Sequence, residues 1–224
     1  MKSYYSEKLS AGRLQRCYEI APPRVQQYLA AEIAFVSDRI SGNDIVLDLG
    51  CGYGRITPRL LEKAKMVVGI DLSEENIRAA HERFKSSPSV VFQVMNAADL
   101  QFPENHFDVT ICIQNGISAF GIEPGRLLSE ALRVTKKTGI VLFSSYSENF
   151  WQDRLNWFEL QAAEGLIGEI DYQNSGDGII VCKDGFRAAT FSENDFIELA
   201  KNFAVETRIY EIDKSSVFCE MKKR

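Results

Sequence analysis

The chain has 224 residues, 45% of them hydrophobic and 25% charged, and its 26 Lys and Arg against 31 Asp and Glu give a net charge of −5. That balance suits one α/β domain with a proper core and offers no basic stripe for gripping nucleic acid through many phosphates. No apolar run nears the roughly 20 residues of a membrane span, the polar start MKSYYSEKLS does not read as a signal peptide, and five dispersed cysteines without a CxxC pair argue against a disulfide framework or a zinc site and point to a reducing cytoplasm.

Residues 1–43 precede the first strand and are expected to be helical, with PPRVQQYLAAEIAFVSDRI amphipathic and its prolines at the helix start, where they are tolerated. DIVLDLG (44–50) reads as a buried strand stopped by glycine, and RITPRLLEKA (55–64) as the helix after it. MVVGIDL (66–72) is a second strand. Ser73 caps the next helix, with Glu74 and Glu75 in its first turn. VVFQVM (90–95) and FDVTICI (107–113) are the third and fourth strands. EPGRLLSEALRVTKK (123–137) is a helix closed near Gly139, and GIVLFSSY (139–146) a fifth strand. The segment 147–190 interrupts this rhythm. It opens with a helix, SENFWQDRLNWFELQ, and continues as short antiparallel strands around glycine-rich turns. A capped helix (192–203) and two strands, 204–213 and 215–222, complete the chain; the short connection at Lys214 and Ser215 makes those two strands antiparallel neighbours.

Strands alternating with helices imply a parallel sheet covered on both faces. The expected fold is α/β: a doubly wound, seven-stranded, mostly parallel sheet with a final antiparallel strand. An N-terminal helical lid (1–43) and a small α+β cap insertion (147–190) flank a core made of 44–146 and 191–224.

VLDLGCGYGR (46–55) carries the chemistry. In an open parallel sheet, ligands bind beyond the carboxyl ends of the strands. Gly50, Gly52 and Gly54 sit at that edge of the first strand, where glycine tolerates positive φ and admits a ligand close to the backbone. A dinucleotide loop needs G-x-G-x-x-G, whereas here the third glycine comes one residue early and Arg55 stands at the last position. The GK[ST] ending of a phosphate-binding loop is absent.

The stretch VLDLGCGYGR resembles the first motif of class I (Rossmann-like) S-adenosylmethionine-dependent methyltransferases. VVGIDLSEENI and NAADLQFPENHFDVTICIQ resemble their later segments in order and spacing, over about residues 44–145. The resemblance implies S-adenosyl-L-methionine as cofactor and no metal. It also implies roles: Asp71 accepts from the ribose hydroxyls, and Leu72 and Leu100 sandwich the adenine. Asp99 takes the adenine amino group beside the Ala98 or Leu100 N–H. Asp48 and the Gly50 backbone, in the Gly50–Cys51–Gly52 turn, hold the methionyl ammonium end. Gln114 lies near the reactive methyl. A carboxylate has lone pairs for two such donors.

Methyl transfer from a sulfonium is an in-line displacement that asks mainly for alignment. A base is needed only if the acceptor must lose a proton, and Tyr18 and His106 are the side chains considered for it. Tyr5, Tyr18, Asn115, Tyr146, Trp151 and Trp157 are the candidates to line an acceptor site. Arg55 and Arg59 are expected to face solvent or the cap. The cap is acidic, with Glu148, Asp153, Glu159, Glu164, Glu169, Asp171, Asp177 and Asp184 against Arg154, Lys183 and Arg187. This reads either as a solvated face or as a lean toward a cationic or amine-bearing acceptor. The expected protein is a cytoplasmic monomer or homodimer that methylates a small molecule. Alternatives are a tRNA or protein methyltransferase and a non-catalytic S-adenosylmethionine-binding protein, with a dehydrogenase the most distant.

Overall fold

The computed structural model describes Tyr4 and residues 8–224. Tyr5 lies outside the described residues. Helices α1 (Ala11–Glu19) and α2 (Pro23–Ser37) lead into strand β1 (Ile45–Leu49), helix α3 (Thr57–Leu61), β2 (Met66–Asp71), α4 (Glu74–Phe84), β3 (Val90–Val94) and β4 (Phe107–Cys112). There follow α5 (Gly116–Ala119), α6 (Pro124–Val134), β5 (Thr135–Tyr146), a 3-10 turn (Glu148–Phe150), α7 (Trp151–Ala163), β6 (Ile179–Val181), β7 (Arg187–Ala189), α8 (Glu193–Ala200), β8 (Val205–Ile212) and β9 (Ser216–Lys223). No helix among the described residues is long and apolar enough to cross a membrane.

Seven strands form one sheet in the order β3-β2-β1-β4-β5-β9-β8. The pairs from β3 to β5 are parallel, and β9 runs antiparallel between β5 and β8. The chain starts at β1 in the middle, winds outward to β3 and returns to β4. The β1/β4 boundary is therefore the point where strand order reverses, and the crevice opens above the carboxyl ends there. The strands are nearly continuous hydrophobic runs, as expected of strands covered on both faces. One face packs Leu47, Val68, Phe107 and Phe143 against α6 and α8; the other packs Val46, Val67, Ile111 and Phe218 against α2 and α3.

The N-terminal helices and the insertion share a separate apolar cluster. Cys17, Val25, Tyr28 and Leu29 pack with Phe150, Trp157, Phe158, Ile180 and Phe186. Polar bonds tie the same pieces: the Trp157 indole donates to the Cys17 carbonyl at 2.9 Å, and Arg13 donates to the carbonyls of Gly165 and Leu166, each at 2.8 Å. The β6–β7 hairpin is held by Arg154, whose buried guanidinium donates to the carbonyls of Gly178 and Ala188 and to the Thr190 hydroxyl.

Two elements depart from the sequence-based expectation. Helix α5 was not foreseen. It is a single turn entered through Gln114 and Asn115, both left-handed at φ 56° and 64°. Strand β5 begins at Thr135 instead of 139, and α6 ends before the Thr-Lys-Lys stretch. The Thr135 hydroxyl donates to the Ala131 carbonyl at 2.6 Å and meets the Thr110 hydroxyl at 2.7 Å, which draws the chain from helix to strand without a loop. The register slips between the pairs Phe107–Thr135 and Val109–Ile140, and Gly139 sits inside that irregularity.

A side chain at Gly139 would place its Cβ 2.5 Å from the Asp108 carbonyl oxygen, so the two backbones approach closely because nothing stands between them. Gly139→Ala is expected to destabilise the protein by about 1–3 kcal/mol. Urea titration should show a lower midpoint with an unchanged slope.

Candidate functional site

A cleft of about 1130 Å³, counted out to its open mouth, lies across the carboxyl ends of β2, β1, β4 and β5. Its floor at the β1 end is the Gly50–Gly52 turn. Gly50 and Cys51 donate backbone N–H groups to the Ile70 carbonyl at 2.8 and 2.9 Å, which pins the loop to β2. Gly50 has φ +77°, and a Cβ there would meet the Phe120 ring at 2.5 Å. The conformation and the close approach both require glycine.

Asp71, at the tip of β2, accepts hydrogen bonds from the backbone N–H groups of Gly52 (3.0 Å) and Ser73 (2.8 Å) and from the Asn76 amide (3.2 Å). Burial nevertheless raises its pKa. Three of roughly four lone-pair positions are thus in use. One further donor can be received directly, and a second requires the Asn76 amide to yield. Leu72, Met95, Ala97, Phe120 and Ile122 form an apolar slot beside it.

Asp48 is almost fully buried, at 3% exposure, and its Oδ2 has no hydrogen-bond partner. Burial pushes its pKa up to about 7; the nearby Asp71 charge adds to the rise and Arg55 opposes it. Contrary to expectation, Arg55 does not turn to solvent. It lines the pocket with Asp48, Tyr53 and Gln114, and its guanidinium lies 4.1 Å from the centre of the Tyr18 ring. Arg59 is exposed and pairs with Glu62.

At the β4 and β5 end stand Tyr18, Tyr28, Gln114, Tyr146, Trp157, Phe158 and Gln161. The Tyr18 hydroxyl donates to Gln114 Oε1 at 3.4 Å. The Gln114 N–H is shared by the Glu32 carboxylate and the Ser144 hydroxyl, each at 2.9 Å, and Glu32 also accepts from the Ser216 hydroxyl at 2.7 Å. Glu32 is fully buried, and burial raises its pKa to about 7.

The structure therefore gathers Asp48, Gly50, Cys51, Gly52, Asp71, Leu72, Gln114, Tyr18, Tyr146 and Trp157 at one cleft. The Cys51 sulfur turns into the core beside Ile77 and Phe92, and its thiol donates to the Gly52 carbonyl at 3.5 Å within the turn. The other expected residues lie elsewhere. Gly54 is packed by Phe84 and Phe92. Leu100 is buried in the core, and its N–H donates to Glu130 at 2.8 Å; the Ala98 N–H donates to Asn96 at 2.9 Å. Asp99 is exposed and does not line the cleft. Met95 and Ala97, and not Leu100, line the cleft with Leu72. Asn115 is consumed by the Ala189 carbonyl and the Ser145 hydroxyl, pinning β7 to the sheet. Trp151 packs with the helices of the cap instead of entering the cleft. His106 is exposed just before β4, at the amino end of that strand and so on the edge opposite the cleft, which removes it as a base. Tyr28, Glu32, Arg55 and Asn76 were not singled out as site residues from the sequence.

None of the cap acids lines the cleft. Asp153 lies near Arg24, Glu159 accepts from Tyr172, Glu164 pairs with Arg16, Glu169 with Lys183, and Asp184 with Tyr4 and Lys8. Asp171 accepts from Asn174, and Glu148 and Asp177 are exposed.

A family model described as a methyltransferase domain matches residues 46–139. Residues 46–139 thus match a methyltransferase domain, the stretch that carries the resemblance to class I S-adenosylmethionine-dependent methyltransferases. A demethylmenaquinone methyltransferase from Symbiobacterium thermophilum is 36% identical over 118 residues, which cover 48% of this chain and 44% of that protein. The chain spans about half or less of the length of the curated relatives it matches. Among solved structures, the PH0226 protein of Pyrococcus horikoshii OT3 shares the fold over all of both chains, with a TM-score of 0.69 at 24% identity. A SAM-dependent methyltransferase from Methanosarcina mazei shares it with a TM-score of 0.63 at 22% identity, over 84% of this chain and 97% of that one.

The residues present fit the cofactor of this family. The orphaned Asp48 oxygen can receive an ammonium, the glycine turn leaves backbone accessible, and Asp71 has an acceptor position to give. The buried acids Glu32 and Asp48 also set a pH dependence for the fold. A folded pKa above the unfolded value means that the folded state holds its proton more tightly, so stability falls as pH rises from about 4 to about 7 and levels off above. Asp48→Asn removes one of these acids. In the absence of cofactor the variant is expected to be more stable than the parent at pH 8, on the order of 1–3 kcal/mol, with the difference shrinking toward pH 4. Denaturant titrations at the two pH values measure it.

Proposed function

We propose that the chain is an S-adenosylmethionine-dependent methyltransferase acting on a small molecule. The observation that carries this reading is the continuity of the cleft. It runs from Asp71 and its apolar slot, past the unpaired Asp48 oxygen, into a chamber roofed by the N-terminal segment and the insertion. Bound there, the cofactor would supply a methyl group already activated on a sulfonium. Asp71 would hold the ribose, Leu72, Met95 and Ala97 the adenine, Asp48 and the Gly50 backbone the ammonium end, and Gln114 would border the methyl.

The protein's contribution is then alignment and exclusion of water. Orientation of the reacting groups can supply about 7–11 kcal/mol of the barrier. The N-terminal segment and the cap act as one roof in this reading, because they share a core and direct hydrogen bonds. A roofed chamber and an acidic surface favour a small acceptor over tRNA or protein. The relative named demethylmenaquinone methyltransferase is in keeping with an acceptor of that size. Five buried free cysteines agree with a reducing, cytoplasmic setting.

Calorimetry with S-adenosylhomocysteine tests the cofactor site. Asp71→Asn keeps the shape of the side chain while removing its charge and one acceptor atom. It is expected to weaken binding by roughly a hundredfold, about 2.7 kcal/mol. Unchanged affinity in a variant that still unfolds cooperatively would refute the assignment. Formation of S-adenosylhomocysteine from S-adenosylmethionine with a metabolite extract separates an enzyme from a binding protein.

A further inference from the structure

The β4–β5 end of the cleft has a polarity that composition did not reveal. Three tyrosines line it, with the rings of Tyr28 and Tyr146 centred 5.5 Å apart. The Tyr28 hydroxyl, which neighbours Tyr146, makes no hydrogen bond of normal geometry. Gln114 Nε2 likewise has none, and Arg55 stands beside the Tyr18 hydroxyl in the adjoining pocket with its Nη2 unpaired. Each of these buried atoms carries a hydrogen to give, and a buried donor without an acceptor is costly, about 1–3 kcal/mol. Burial raises the pKa of Tyr18, Tyr28 and Tyr146, which keeps their hydroxyls protonated and able to donate.

Charge points the same way. The faces of two of these rings are taken by guanidinium groups: Arg55 lies 4.1 Å from the Tyr18 centroid and Arg154 lies 4.3 Å from that of Tyr146. An ammonium-bearing guest would compete with them for those ring faces and would meet the Arg55 charge in the adjoining pocket, whereas Arg154, like Glu32, does not line the cleft. Glu32 is the acid nearest the tyrosines. It does not line the cleft, and its two oxygens are engaged by the Ser216 hydroxyl and the Gln114 N–H. With the cap acids paired or exposed outside, the amine-acceptor reading of the acidic insertion is set aside. Leu29, Trp157 and Phe158 supply apolar walls.

We infer that the acceptor enters this chamber as an oxygen anion on a flat apolar framework, an ionised phenol or enol, and is methylated on that oxygen. The inference rests on the methyltransferase reading above. The acidic proton leaves to solvent before binding, so no protein base is required. An oxygen lone pair forms the O–CH₃ bond as the CH₃–S bond breaks. The electron pair of the broken bond returns to sulfur, and the anion and the sulfonium become a neutral ether and a neutral thioether.

The test uses the full chain saturated with S-adenosylhomocysteine. Saturation is established first by calorimetry, and failure at that step counts against the methyltransferase reading rather than this one. 4-Nitrophenol, whose ionisation is visible by absorbance, is then titrated against pH, with benzylamine and benzoate as comparison ligands. The phenolate is expected to bind at least about tenfold tighter than the phenol, a fall of about one unit in the pKa of the bound probe. Tyr28→Phe, which keeps the ring, should reduce that preference by about threefold or more without changing S-adenosylhomocysteine affinity. An unshifted probe, tighter binding of benzylamine or benzoate, or no binding of 4-nitrophenol at millimolar concentration would each overturn the inference.

Discussion

Two carboxylates at adjacent strand tips, with different partners, organise this molecule. Asp48 and Asp71 rise from neighbouring strands β1 and β2 close enough for one charge to raise the pKa of the other. Asp71 is answered by two backbone N–H groups and an amide. Asp48 is more deeply buried, and one of its oxygens is left without a hydrogen. Such a group is a cost to folding. It is tolerable where a cationic ligand supplies the missing donor, and the glycine turn keeps that approach clear. In the proposed reading the destabilising acid and the recognition of the ligand would be one feature seen in two states of the protein.

The same corner connects to the roof. Asn76 donates to Asp71 and receives the Ala11 N–H at 2.6 Å, while the Ser10 hydroxyl donates to Glu75 at 2.6 Å. The start of α1 is therefore fastened to the first turn of α4 through the amide that competes for Asp71. Any ligand hydroxyl that displaces the Asn76 donor acts on a residue that also holds the N-terminal segment. From α1, Arg13 and Arg16 donate to the insertion, and Trp157 of the insertion donates back to the Cys17 carbonyl. In the proposed reading, cofactor grip and roof position would share atoms rather than communicate over a distance.

What was legible in the sequence was local. Alternating strands and helices, the glycines after β1 and the Ser73 cap all act within a few residues, and the structure has them in place. What was not legible depends on contacts far along the chain. Gly139 looked like a helix stop because its close neighbour, the Asp108 carbonyl, lies on another strand. Asn115 looked like a cleft residue, but a left-handed turn at φ 64° aims it at β7. Some of the missed signals were nevertheless present. Trp151 and Trp157 are six positions apart, about 240° around a helix, so both could not face the cleft. In α2 the buried residues Val25, Tyr28, Leu29, Glu32 and Val36 follow one helical stripe. A carboxylate on that stripe must be buried and bonded, which is the condition of Glu32.

The charge of the insertion shows why composition misleads about specificity. Counted along the chain, the segment is acidic and suggests a cationic guest. Placed in space, its acids lie outside the cleft, four of them beside cations, whereas Arg154 is fully buried, clamping the hairpin and stacking on Tyr146. Arg55, from the motif itself, approaches the neighbouring tyrosine from the cofactor side. Long-range fields of exposed charges are weakened by water and salt, and buried charges much less so. What a guest meets is therefore set by the few buried groups beside the chamber, among them Arg55, Gln114 and the three tyrosines, rather than by the larger number of outward carboxylates.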